Sequence, residues 1–377
     1  MKRLSCILLL LGTSAFAEIA PEPLMVIKSL PDSYPPHWII AVDVSFFHMS
    51  NGKIIVLDAG SDDTHARFKG MFNGSFIPQF YQGKTKPLLY IIETYHSRGN
   101  RGERTDVLTI YDKANLSPVD EVIIPPKRTS GMPTNFHLQL VDDEKLALIY
   151  NFTPAQSVSV VDMDKREFVG EIPIPGCALV YPMAGRAFAS LCGDGAMYSV
   201  QLDEHGAQKS SSRTEKFFDP DNDPIMEKAA IHNGVAYFPS FDGKIVPVDL
   251  NGETPEVLPS WSMVEGVDGG WRPGGISVIA ADSKGFLYVM MHSDGREGSH
   301  KDPASEIWVV DTAKKSVSRR IELEIPVMTI ALTRDDELLV ATTVEMNIDV
   351  YDANSGERLR TLSGFGQETP FMLYGAY

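Results

Sequence analysis

Short runs in which β-branched or aromatic residues alternate with others, each closed by an aspartate, punctuate this chain. They read IIVLDA near Asp58, LTIYDK at Asp112, VSVVDM at Asp162, IVPVDL at Asp249, EIWVVD at Asp311 and NIDVYDA at Asp352. A period of two predicts strands. A weaker copy, MYSVQLDE around Leu202, fills the one wide gap, so seven copies recur at a mean spacing of about 49 residues. After the aspartate come a polar turn and a second alternating run, so Glu306 to Glu322, EIWVVDTAKKSVSRRIE, reads as an antiparallel hairpin. Aspartate suits that turn because its side chain accepts hydrogen bonds from the backbone just ahead. A β-sandwich also uses such hairpins, but near-constant recurrence requires a radial or stacked architecture. The expectation is an all-β fold, a seven-bladed β-propeller.

No window sustains the 3.6-residue period of an amphipathic helix. In a propeller the last blade is closed by a strand from the other end of the chain, and HWIIAV and PFMLYGAY are the natural pair for that latch. Upstream, Lys2 and Arg3 precede the apolar run Leu4 to Leu11, and Ala15-Phe16-Ala17 forms a small-x-small cleavage site. These are the parts of a secretory signal peptide, whose apolar run is too short to span a bilayer. The expected organisation is residues 1–17 signal peptide, 18–36 a Pro-rich N-terminal arm, and 37–377 a single propeller domain.

Export sharpens the meaning of charge and cysteine. The net charge of −16 opposes nucleic-acid binding; the acidic surface is either simply solvated or attracts a cationic small molecule or a basic partner over long range. Membrane insertion is not expected, because nothing after the leader is long and apolar enough. Cys177 and Cys192 alone remain after processing, and in an oxidising compartment they form either one disulfide or two buried thiols.

Candidate chemistry is sparse. No zinc, EF-hand, P-loop or nucleophile-elbow pattern is present. His292 and His300 flank HSDGREGSHK, but their spacing matches no standard metal-ligand pattern. What stands out are polar loops between strands: TYHSRGNRGERTDVLTIYD from Thr94 to Asp112, GWRPGG from Gly270 to Gly275, and the loop after Met291. Their arginines and carboxylates either lock the loops through Arg–carboxylate forks or present them to a partner.

These three stretches, with PPKR at Pro125 to Arg128, TPAQSVSVVD at Thr153 to Asp162 and CGDG at Cys192 to Gly195, resemble the heavy chain of the tryptophan tryptophylquinone amine dehydrogenases. The resemblance runs from about Ile39 to Leu362 and is closer to the aromatic (aralkyl) amine enzymes than to methylamine dehydrogenase. It implies a periplasmic heterotetramer of two heavy and two light chains. Its reaction is oxidation of a small primary amine to an aldehyde and ammonia, with electrons passed to a blue copper protein of amicyanin or azurin type.

In that family the tryptophan tryptophylquinone resides in a small, disulfide-rich light chain. The resemblance therefore places no catalytic residue, cofactor-binding residue or metal ligand in this chain, and it puts a bridge at Cys177 and Cys192. It assigns an aromatic lid on the substrate channel to the loop DVSFFHM, through Phe46 or Phe47, with ordinary core packing of the two rings as the structural alternative. A second reading from another class is a stand-alone periplasmic propeller that binds a ligand or protein without redox chemistry.

Overall fold

The computed structural model describes residues 29–129, 131, 133–366 and 368–377. The signal peptide and most of the arm lie outside the described residues. Antiparallel sheets account for nearly all regular structure; the only helices among the described residues are two single 3-10 turns. No helix there is long and apolar enough to cross a membrane.

The aspartates that close each run act as expected. Asp112 Oδ1 accepts from the amides of Ala114 and Asn115, both at 2.9 Å, and Asp162 Oδ1 from Asp164 and Lys165 at 3.0 and 2.9 Å. Asp311 and Asp352 repeat the pattern with Ala313 and Lys314, and with Asn354 and Ser355. One carboxylate thus nucleates each turn between a sheet's third and fourth strands.

The ends of the chain meet in one sheet. Pro370–Gly375 pairs antiparallel with Trp38–Asp43, Leu373 opposite Ala41, followed by Gly52–Asp58 and Phe68–Gly74. This is the latch that HWIIAV and PFMLYGAY suggest. Every residue of Trp38–Asp43 is buried, because each face of an interior strand packs on a neighbouring sheet, whereas the outer strand Pro118–Ile124 leaves most of its residues exposed.

The blade count differs from expectation. The hydrogen bonding does not give seven separate sheets: five discrete blades form, and the remaining arc is one eight-stranded sheet. The cause is the 17-residue strand Ser316–Leu332. Its first part completes the hairpin with Ala304–Asp311, and its last part, from Val327 to Leu332, pairs with Leu338–Thr343. No glycine or turn residue interrupts it, and Pro326, lacking an amide proton, falls where the chain passes from one ladder to the next.

Candidate functional site

In a sheet whose strands follow in order, the connections between first and second and between third and fourth strands lie at one end. The connection between second and third and the exit to the next sheet lie at the other. The aspartate turns occupy the first end. Loops 44–51, 97–103, 152–156, 193–196 and 293–303, with connections 75–78, 125–129, 133–137 and 263–275, occupy the second. Every polar stretch singled out in the sequence therefore reaches the same end of the molecule, together with the Phe46–Phe47 loop.

That loop has a rigid stem and an open tip. Asp43, fully buried, ends its strand and receives the Ser45 amide (2.8 Å), the Thr369 amide (2.9 Å) and the Glu368 amide. Ser45, also buried, has φ 45° and donates its hydroxyl to Asn51 O at 2.8 Å, closing the stem. The Phe46 amide donates to Thr369 Oγ1 at 2.8 Å. Beyond the stem the two rings diverge: Phe46 is 37% exposed and its ring lies 6.3 Å from that of Phe371, whereas Phe47 is 80% exposed and meets Phe46 edge-on at 5.7 Å. Neither ring is an ordinary core residue. His48 at the tip pairs with Glu368 at 3.0 Å.

Beside it, connection 75–78 is held from below by Arg128, which is 1% exposed. Its guanidinium donates to Ile77 O at 3.0 Å, to Phe76 O and to Thr94 Oγ1 at 2.7 Å. Phe76 and Ile77 have φ of 43° and 53°, a left-handed conformation costly for such residues, so the bonds to their carbonyls hold them there. Burial pushes the Arg128 guanidinium down to about 10, opposed by the charge of Asp106. Asp106 is itself gripped by Arg104 in a two-bond fork at 2.8 and 2.7 Å. The Glu93 carboxyl is raised above its ordinary value by burial, though it accepts from Tyr95, Thr109 and the Ser75 amide.

Of the two roles expected for the Thr94–Asp112 loop, locking is thus carried by Arg104 and presentation is left to Arg98 and Arg101 at its tip, which have no carboxylate partner among the described residues. GWRPGG is a brace. Trp271 lies 5.3 Å from Trp308, and the Arg320 guanidinium sits 4.5 and 4.6 Å from their rings while forking onto Glu306 at 2.6 and 2.8 Å. His292 is buried against its own loop, Nδ1 3.0 Å from Ser293 O. Among the described residues no group of three or more His, Cys, Asp or Glu converges to hold a metal.

Cys177 and Cys192 are bonded, face each other across neighbouring strands and wall an apolar cleft of about 500 Å³ at the same end, with Phe152, Phe218 and His137. Burial pushes the His137 imidazole down to about 4, so it is neutral. Sequence reasoning missed Asp43, Thr369, Glu368 and Arg128 as determinants of this end. The only local signal was the Asp43-x-Ser45 spacing of an Asx turn; the Glu368 and Thr369 partners of Asp43 lie more than 300 residues away, and the acceptors of Arg128 lie 34 to 52 residues away.

Comparison with known proteins agrees with the resemblance at the coarser level. Residues 38–374 match the family model described as methylamine dehydrogenase heavy chain. The methylamine dehydrogenase heavy chain of Methylophilus methylotrophus is 27% identical, the alignment covering 97% of this chain and 89% of that one. The heavy chain from Paracoccus versutus is 25% identical, over 92% and 81%. These relatives support an amine dehydrogenase heavy chain and not the narrower aralkyl type. Among solved structures, dihydro-heme d1 dehydrogenase NirN superposes with a TM-score of 0.53 at 16% identity, covering 91% of this chain and 77% of that one, a likeness of fold alone.

Proposed function

This chain belongs to the methylamine dehydrogenase heavy chain family, and from that premise we propose that it is the heavy subunit of a periplasmic quinoprotein amine dehydrogenase. The match over residues 38–374 carries the reading. The complex oxidises a small primary amine to an aldehyde and ammonia and passes electrons to a blue copper protein. The partner light chain supplies the tryptophan tryptophylquinone, whose chemistry is to accept the electrons of the amine. Two heavy and two light chains make up the assembly.

This chain's own work lies at its loop-bearing end. Phe47, projecting from a stem fixed by Asp43, is the residue suited to cover the substrate channel, and Phe46, leaning on Phe371, props it. An apolar ring over the channel excludes water and sorts amines by shape. The net charge of −16 raises the local concentration of alkylammonium ions and suits a basic docking partner. Within the primary amines, the motif resemblance carries the aralkyl reading, and the relatives' names carry methylamine.

Steady-state kinetics of the co-expressed heavy and light chains with methylamine and 2-phenylethylamine test the proposal. The pair turns over at least one of them, the heavy chain alone turns over neither, and Phe47→Ala changes the ratio of kcat/KM for the two amines by about tenfold. A complex inert toward both would contradict the reading, and an unchanged ratio would remove Phe47 from the channel.

A further inference from the structure

Phe47 is the most exposed of the large apolar side chains at this end, and a ring on a free loop sorts substrates poorly. Selectivity requires that its backbone be fixed. The tip residues 46–50 are tied by the His48 amide to Ser45 O at 2.7 Å, the Ser50 hydroxyl to His48 O at 3.1 Å, the His48–Glu368 pair and, beyond the rings, the Ile77 amide to Met49 O at 3.1 Å. On the side that carries Phe46, and through it Phe47, the backbone is held at the stem.

There Thr369 occupies a central place. Its hydroxyl oxygen accepts the Phe46 amide at 2.8 Å and lies 3.4 Å from Asp43 Oδ1, to which it can donate, while its own amide donates to that same oxygen at 2.9 Å. Thr369 is 1% exposed and Asp43 0%. The Val44 amide donates to Thr369 O at 3.2 Å, so the two segments are joined on both sides of the residue. Thr369 immediately precedes Pro370–Gly375, the strand that closes the propeller and carries Phe371 beneath Phe46.

We propose that Thr369, with Asp43, is a positioning and specificity-determining residue: its hydroxyl relays the buried Asp43 carboxylate to the Phe46 amide and so fixes the pose of the Phe46–Phe47 pair that selects the amine. The inference rests on the reading of Phe47 as the channel cover. It assigns selectivity partly to the closing segment from the C-terminal end of the chain, which contributes no ring at the tip.

The test uses Thr369→Val, which keeps the shape and removes the hydroxyl, Thr369→Ser, which restores it, and Phe47→Ala as the reference. In the heavy chain alone, amide exchange over residues 44–51 rises in Thr369→Val by about tenfold and returns in Thr369→Ser. In the complex with the light chain, the kcat/KM ratio between methylamine and 2-phenylethylamine shifts by about fivefold or more in Thr369→Val, in the direction of Phe47→Ala, and recovers in Thr369→Ser. Thermal melting and quinone absorbance of each complex establish that assembly is intact. Faster exchange with an unchanged ratio, or a shifted ratio that Thr369→Ser does not restore, overturns the inference and leaves the channel-cover reading standing. An unchanged ratio in Phe47→Ala overturns that reading itself.

Discussion

At the scale of single residues, the loop-bearing end is organised by groups whose importance comes from burial. Arg128 is read in the sequence as part of PPKR, a string with the composition of an exposed turn, yet it is enclosed and spans the carbonyls of Phe76 and Ile77. Removing Arg128 leaves the buried acceptors Phe76 O, Ile77 O and Thr94 Oγ1 without their donor, at a cost of about 1–3 kcal/mol each. Arg128→Met is therefore expected to lower the unfolding free energy by several kcal/mol, on the order of 3, measured by denaturant unfolding with Arg104→Met as comparison. Arg104 is 28% exposed but its partner Asp106 is 0% exposed, so losing the fork strands a buried carboxylate and is expected to cost about 3–5 kcal/mol. Neither result was legible in advance, because nothing local distinguishes an arginine that folds inward from one that faces solvent. The aromatic pair drew notice through the family resemblance at DVSFFHM and not through a pattern of its own; what the structure adds is that both rings are solvent-exposed.

At the scale of elements, the aspartate turns show why the repeat could be read at all. Each carboxylate makes the same local bonds to amides two or more residues ahead, so the signal lies within a few positions. Those amide donors hold Asp162, Asp203, Asp311 and Asp352 below the ordinary carboxyl value of 3.8. A folded value below the unfolded one gives stability that is complete above 3.8 and is lost as pH falls through the folded values. His137 acts in the same direction at higher pH. Its folded value of about 4 against 6.5 means that the unfolded chain binds the extra proton, so stability declines as pH drops from 6.5 to about 4. Melting temperatures followed across that range should show two acid limbs. His137→Gln is expected to flatten the upper one, and Asp162→Asn with Asp311→Asn, which keep a turn-forming acceptor, the lower. Limbs unchanged by either set would mean that other groups control acid unfolding. The strand Ser316–Leu332 shows the opposite case. Its hairpin half was legible, but its continuation into a second ladder depends on a distant strand, Leu338–Thr343, which no local pattern announces.

For the molecule as a whole, the two ends have different tasks. One holds the turns that nucleate each hairpin; the other gathers the Phe46–Phe47 loop, the Arg128 network, the Trp271–Arg320–Trp308 brace and the cleft beside the disulfide. A ring closed by Pro370–Gly375 fixes these loops relative to one another, as a platform for a partner requires. The central claim is that the redox group comes from that partner. Affinity capture of the tagged chain from its native source, with absorbance recorded on the eluate, tests this most directly. The account predicts a small cysteine-rich polypeptide in equal amount, carrying a quinone absorbance that amine substrate bleaches. Recovery of this chain alone, or of a quinone covalently attached to it, would contradict the account.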